Sequence, residues 1–285
     1  MELNIENVSM KYGKHVALRS IDLSLVPGVY GILGPNGSGK TTMMNILATL
    51  LRPTSGYVKW NGQDILKLQD GYRNVVGFLP QQIGLYPEFT ANDFLLYLAA
   101  IKGITGVQAK RRVEELLEWV GLTDVGSVKL GGFSGGMKQR IGIAQALLND
   151  PDILIVDEPT AGLDPKERIR FRNLLSSVSS KKIVLLSTHI VSDIEYIANE
   201  IVVMKKGEVI NKGNPQVLLK ELEGKVWSAI ICEKDLQEHQ QNYRTMSVVQ
   251  KENGIEVRFL SDDEVKFAVK KEAPNLEDLY LYYFD

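Results

Sequence analysis

The sequence predicts an α/β protein: a mainly parallel sheet covered by helices, with a helical insert and a small α+β appendage. Three observations carry this. Short apolar strands alternate with helices, as in Ile153 to Val156, a helix near Lys166 to Ser177, and Ile183 to Leu186; such alternation argues for a parallel sheet between helices. An apolar strand, Val29 to Leu33, runs straight into a glycine-rich loop and then into a helical pattern. From about Pro87 to Leu148, three stretches repeat apolar residues at intervals of three and four, so each is an amphipathic helix.

The first quarter of the chain reads as strands and turns. Leu3 and Ile5, then Ile21, Leu23 and Leu25, alternate with polar residues, the mark of a half-buried strand. Pro27-Gly28 is a turn. From Lys40 to Leu51 the spacing of Met44, Leu47, Ala48 and Leu51 is helical. Pro53 to Gly56 ends that helix, and Tyr57 to Trp60 resumes an extended pattern. In the insert, Ala91 to Lys102 carries Phe94, Leu95, Leu98 and Ile101 on one face. Lys110 to Val120 carries Val113, Leu116, Leu117 and Val120, and Ser134 to Leu148 carries Met137, Ile141, Ala144 and Leu148. Gly207, Gly213 and Pro215 punctuate a hairpin-like stretch. Beyond it, strand patterns at Val226 to Ile231 and Ile255 to Phe259 mix with charged helices.

The chain has 285 residues, 33 basic and 35 acidic, a net charge of −2. That balance gives no electrostatic pull toward nucleic acid or an anionic membrane. One cysteine, Cys232, excludes an intrachain disulfide and a cysteine-based metal cluster. No apolar run approaches the ~18 to 20 residues of a membrane span. Met1 to Ser9 carries Glu2 and Glu6 and no basic residue, unlike the start of a secretory signal. Any membrane-spanning helices are therefore expected on another chain.

Gly34-Pro35-Asn36-Gly37-Ser38-Gly39-Lys40-Thr41 matches the P-loop pattern. Glycines let backbone N–H groups converge on phosphate oxygens. The helix that follows points its partial positive charge at the same anion. Lys40 supplies a point charge for the β and γ phosphates, and Thr41 a hydroxyl for Mg²⁺. Average glycine usage makes this pattern arise by chance at roughly the 1% level in such a chain; the strand before it and the helix after it strengthen the reading. Ile153 to Val156 ends in Asp157-Glu158, which a buried parallel strand delivers to the sheet edge where ligands bind. Asp157 is suited to hold Mg²⁺ through water, and Glu158 to take a proton from an attacking water. Ser134-Gly135-Gly136 opens a helix: Ser134 is an expected N-cap, and the glycines leave first-turn N–H groups accessible. Two adjacent glycines each lower helix stability by roughly 1 kcal/mol relative to alanine, which a plain helix would avoid. His189 follows Ile183 to Leu186 and so reaches the same sheet edge as Asp157. His15 and His239 are read as ordinary surface or core residues.

The P-loop, Ser134-Gly135-Gly136, Asp157-Glu158-Pro159, Ala161-Gly162-Leu163-Asp164 and Ser187-Thr188-His189 occur together in that order. Over about residues 2 to 222 the chain resembles the ATP-binding subunit of an ABC transporter. The resemblance implies a P-loop ATPase core with an N-terminal antiparallel β subdomain. The composition change near Gly207 and the patterns beyond it divide the chain into an ATPase domain, 1–214, with its helical insert at about 87–148, and a small appended domain, 215–285. The resemblance also implies ATP and Mg²⁺ as cofactors, with Gly34, Asn36, Gly37, Ser38, Gly39, Lys40, Thr41 and Thr42 binding nucleotide and Thr41, Gln81 and Asp157 at the metal. Tyr12, before Gly13, matches the aromatic that stacks on adenine. Gln81 matches the glutamine that contacts Mg²⁺ and water, with Glu158 and His189 completing the catalytic set. Ile83 to Thr90 would lie where the family meets its membrane partner. Ser134, Gly135, Gly136 and Asp164 match the parts that meet ATP and chain across a subunit boundary. Phe133 and Met137 depart from the family's usual leucine and glutamine.

Three functions compete: the energy-coupling ATPase of an exporter, a soluble ABC-type ATPase of DNA repair or translation, and a P-loop kinase or regulator. The last leaves Ser134 to Gly136 and His189 unexplained. The second usually carries a coiled-coil insert or two ATPase units, and neither is present in the pattern. Leu47-Ala48-Thr49-Leu50-Leu51-Arg52-Pro53-Thr54-Ser55-Gly56 and the tail resemble the drug-, antibiotic- and ion-export branch, with import as the runner-up. The expected partners are a separate membrane-spanning permease and a second, identical ATPase subunit, with no nucleic acid. The expected place is the cytoplasmic face of the membrane.

Overall fold

The computed structural model describes residues 1–160, 163–262, 265 and 269–284. The chain divides into two compact units, Met1–Lys212 and Gly213–Asp285.

In the first unit, β1 (Leu3–Tyr12) and β2 (His15–Leu25) form an antiparallel hairpin. With β4 (Ser55–Trp60) and β5 (Gln63–Asp64) they make a four-stranded sheet ordered β2-β1-β4-β5. The alternation read from sequence sets its inner face: Leu3, Ile5, Ile21, Leu23 and Leu25 are all buried. The second sheet comprises β3 (Gly28–Leu33), β6 (Val76–Leu79), β7 (Ile153–Asp157), β8 (Ile183–Thr188), β9 (Glu200–Lys205) and β10 (Glu208–Gly213). Its order is β10-β9-β3-β8-β7-β6. β6, β7, β8, β3 and β9 run parallel to one another. Every residue of β7 and β8 is buried, as a parallel sheet covered on both faces requires.

Helix α1 (Lys40–Leu47) packs against β2, β7 and β8. Its Met43, Met44 and Leu47 join one core with Leu3, Ile5 and Trp60 of the first sheet and Ile32, Ile155 and Leu185 of the second. The helix ends at Leu47, four residues short of the Leu51 expected from spacing. Thr49 adopts φ 60°, and Leu50 N–H reaches back to Asn45 O at 2.9 Å, the Schellman closure. Two short helices, α2 (Ile65–Leu68) and α3 (Asp70–Val75), lead into β6. Tyr72 of α3 is fully buried and donates to Leu47 O at 2.9 Å; burial pushes its phenol pKa well up.

The insert holds α4 (Ala91–Ile101), α5 (Gly106–Trp119) and α6 (Gly135–Ala146). Thr90 caps α4, accepting from Asp93 N–H at 3.1 Å. The buried face of α4 runs through Ala91, Phe94, Leu95 and Ala99, and Ile101 is 65% exposed. At about 100° per residue, Ile101 lies within about 20° of Phe94 around the axis, but it is the last residue of the helix, beyond the buried turns, which corrects its expected place on the packed face. Helix α6 packs on β6 as well as on α4 and α5, so it is buried on several sides. The approach is close: a Cβ on Gly77 would lie 2.1 Å from Ala146 O, and one on Gly142 2.5 Å from Ile83 Cδ1. Beyond the insert come α7 (Pro165–Val178) and α8 (Val191–Ile194).

The second unit contains α9 (Pro215–Leu219), β11 (Val226–Ile231), α10 (Leu236–Asn242), β12 (Arg244–Lys251), β13 (Gly254–Leu260), β14 (Lys270–Lys271) and α11 (Leu276–Phe284). Its sheet, ordered β12-β13-β11-β14, is antiparallel. Trp227, Ala229, Ile255, Val257 and Phe259 form its core. Arg258 fastens α11 through Asp278, with bonds of 2.9 and 2.7 Å. Among the described residues no helix is long and apolar enough to cross a membrane.

Candidate functional site

Four neighbouring parallel strands end level with one another. Leu33 of β3 pairs with Thr188 of β8, Ser187 with Asp157 of β7, and Val156 with Leu79 of β6. The segments that follow these ends carry the P-loop, His189, Glu158 and Gln81. Strand register alone therefore gathers residues far apart in sequence along one edge, the edge where ligands bind in such sheets.

The loop after β3 depends on glycine at two kinds of place. A Cβ on Gly34 would lie 2.4 Å from Met204 O. Gly39 has φ 103°, and its Cβ would lie 2.8 Å from Ala17 O. Gly39 also caps α1 without a side chain, and the first turn holds no acid. The helix therefore offers uncapped N–H groups and an unneutralised partial charge, a ready anion site. Ser38 is buried, and its Oγ has no hydrogen-bond partner among the described residues. Lys40 is 5% exposed; its Nζ donates to Gly34 O at 2.8 Å and to Pro35 O at 3.2 Å and lies 3.5 Å from Glu158 Oε1. Burial lowers the Lys40 pKa from the ordinary lysine range, against the opposing pull of Glu158 and Asp157.

The two acids are laced to β8. Ser187 Oγ donates to Asp157 Oδ1. Glu158 N–H donates to both the carbonyl and the hydroxyl of Ser187, each at 3.1 Å. The Glu158 carboxylate is 8% exposed and bridges two groups, Lys40 on Oε1 and His189 Nδ1 on Oε2 at 2.7 Å. Among the described residues no cluster of three histidine, cysteine or acidic side chains forms a cage for a metal.

An open cleft of about 270 Å³ lies over these groups, lined by the loop from Asn36 to Thr42 and by Tyr12, Gln81, Glu158 and His189. Gly34 and Asp157 do not line it. His15, set aside on sequence, does. It pairs with Tyr12 across the β1–β2 turn, and that two-residue turn at Gly13-Lys14 is the signal that brings the two rings to one place. Ser134, Gly135, Gly136 and Asp164 do not line the cleft; Gly136 and Asp164 meet at Glu167 of α7. Ser134 caps α6, accepting from Met137 N–H at 3.2 Å. A Cβ on Gly136 would lie 3.0 Å from Glu167 Cγ. Asp164 caps α7, accepting from Glu167 N–H at 2.9 Å, and Arg140 pairs with Glu167 at 3.2 Å. Ala161 and Gly162, part of the same motif, lie outside the described residues.

The ABC transporter family model matches residues 18–161. An uncharacterized ABC transporter ATP-binding protein of Bacillus subtilis, YxlF, is 38% identical over 81% of this chain and 77% of its own length. The Nod factor export ATP-binding protein I of Cupriavidus metallidurans is 38% identical over 76% of this chain and 72% of its own. Among solved structures, a dimeric ATP-binding cassette in a post-hydrolysis state, bound to ADP and Pi, superposes with a TM-score of 0.67 at 30% identity, over 74% of this chain and 98% of that one. On the strand-edge geometry and these similarities together, the chain belongs to the ABC transporter family, as an ATP-binding subunit that hydrolyses ATP.

Proposed function

We propose that this chain is the motor of an exporter: it works as a pair of identical subunits on the cytoplasmic face of a membrane, joined to a separate membrane-spanning partner. The observation that supports the catalytic reading best is the Glu158 carboxylate held between Lys40 and His189 at the mouth of a glycine-lined anion site. In this reading the loop amides, Lys40 and the start of α1 bind the triphosphate, and Tyr12 stacks on the base. Thr41, Asp157 and Gln81 supply hard oxygen donors suited to Mg²⁺, a metal usually held by one or two carboxylates plus substrate phosphates and water. When bound, Mg²⁺ neutralises charge on the β and γ phosphates.

The γ-phosphate takes over the charge of Lys40 and leaves Glu158 to the attacking water. Glu158 accepts the water's proton as its oxygen bonds to the γ-phosphorus and the bond to the bridging oxygen breaks, yielding ADP and phosphate. His189 holds the carboxylate from its other oxygen. Ser134, Gly135, Gly136 and Asp164, remote from their own cleft, serve the cleft of the second subunit. Export is supported by the word in the name of the Cupriavidus relative. The test is to purify the chain from detergent-solubilised membranes of its own cell and identify what co-purifies. Recovery of a polytopic partner whose vesicles move solute outward supports the reading; uptake driven by the same complex overturns it.

A further inference from the structure

Glu158 sits in the left-handed region at φ 48°, and it precedes Pro159, which biases the residue before it toward extended backbone. A non-glycine residue keeps such a conformation only where its surroundings over-determine it. One anchor is upstream: Ser187 holds the Glu158 N–H and the Asp157 carboxylate. The other lies two residues downstream and has no part in the mechanism above. Thr160, fully buried, donates its hydroxyl to Asp193 Oδ2 on α8, and Asp193 is itself 1% exposed. Among the described residues no lysine, arginine or histidine forms an ion pair with that carboxylate. A buried acid with a hydroxyl as its partner is costly, and a core position that only needed filling would take an apolar side chain.

The placement says what it does. Segments 157–160 and 187–193 are laced by four contacts in sequence: Asp157 to Ser187, Glu158 N–H to Ser187, Glu158 to His189, and Thr160 to Asp193. We propose that the Thr160–Asp193 hydrogen bond is the downstream anchor that holds Glu158 in its left-handed turn and fixes it relative to His189. Asp193 and Thr160 are thus positioning residues, acting through Glu158 without touching substrate. This rests on reading Glu158 as the base. A displacement of about 1 Å at a reacting group is enough to slow chemistry by about a hundredfold, so a slack anchor shows in turnover before it shows in binding.

The experiment is ATPase kinetics on the full chain, with ATP-analogue binding measured separately. Thr160→Val keeps the shape and removes the donor; it should lower kcat by about tenfold or more while KM moves less than about twofold. Thr160→Ser restores the hydroxyl and should restore kcat. Asp193→Asn keeps an acceptor oxygen and should stay close to the parent, whereas Asp193→Ala should match Thr160→Val. Combining Thr160→Val with Asp193→Ala should be no slower than either alone, because both break one interaction. Should a lone valine beside a buried carboxylate prevent folding, the charge-free pair Thr160→Val with Asp193→Leu carries the same expectation: ATP binding kept, kcat lowered. Unchanged kcat in folded Thr160→Val and Asp193→Ala overturns the proposal. So does a rise in KM with kcat intact, or losses that multiply in the double variant. Persistent turnover in Glu158→Gln would instead remove the reading of Glu158 on which the anchor depends.

Discussion

A lysine as deeply buried as Lys40 stays where it is because its neighbours need its charge. Two loop carbonyls and Glu158 share that charge, and phosphate is the ligand that would replace them. Lys40→Ala should therefore weaken ATP binding and abolish hydrolysis while leaving the fold intact, read by ATPase assay, analogue titration and circular dichroism. Glu158→Gln keeps the size and removes the basicity. A general base contributes ~10² to 10⁴ in rate, so turnover should fall by at least that lower figure, with ATP still bound in single-turnover measurements. A fall of less than about tenfold would place the base elsewhere. Lys40, Glu158 and His189 were legible in the sequence because each lies in a short contiguous motif at a strand end. His15 was not, because its place depends on the register across a turn and not on neighbours in the chain. The Thr160–Asp193 pair was equally hidden, since its members are 33 positions apart.

At the scale of elements, periodicity found the long helices and the all-apolar strands. It missed β6, whose four residues, Val76 to Leu79, include a glycine and follow two short helices. That strand matters because it leads into Gln81, two residues past its end, and receives α6. Gly77 is the point of contact: an added Cβ would sit 2.1 Å from Ala146 O, a backbone atom that cannot swing away. Gly77→Ala should destabilise the first unit by about 1 to 3 kcal/mol, the range for overpacking, seen as a lowered Tm. An unchanged Tm would mean that α6 and β6 are not held in this close register. The end of α1 shows the limit of periodicity from the other side. Leu51 continues the helical spacing, but Thr49 in a left-handed conformation stops the helix first. Backbone conformation of that kind leaves no trace in apolar spacing.

The whole molecule raises two questions that sequence posed and could not answer. One is whether the tail is separate. The described residues fall into units meeting at Lys212 and Gly213, and the second has its own apolar core. A chain ending at Lys212 is expected to stay soluble and bind ATP; its aggregation, with the full chain well behaved, would show that the tail completes the first unit. The other is what Ser134 to Gly136 face. The sequence already sets the motif across a subunit boundary from its own nucleotide, and the residues that line the cleft leave it out. Ser134 caps α6, and Asp164 and Gly136 both pack against Glu167; in the proposed pair these groups serve a second subunit through a two-fold interface, where each turn meets the other's nucleotide.

Mixing two inactive variants tests that arrangement most directly. Gly135 has open space where a Cβ would stand, so Gly135→Asp should fold normally and place a negative charge only where a partner's phosphate arrives. Alone it should bind ATP without hydrolysing it, and Lys40→Ala alone should not hydrolyse either. In a mixed pair, the intact loop of the Gly135→Asp chain faces the intact turn of the Lys40→Ala chain, giving one working site. Equal mixing should produce ATPase activity well above that of either variant; no gain, under conditions where mixed pairs demonstrably form, would contradict the shared site.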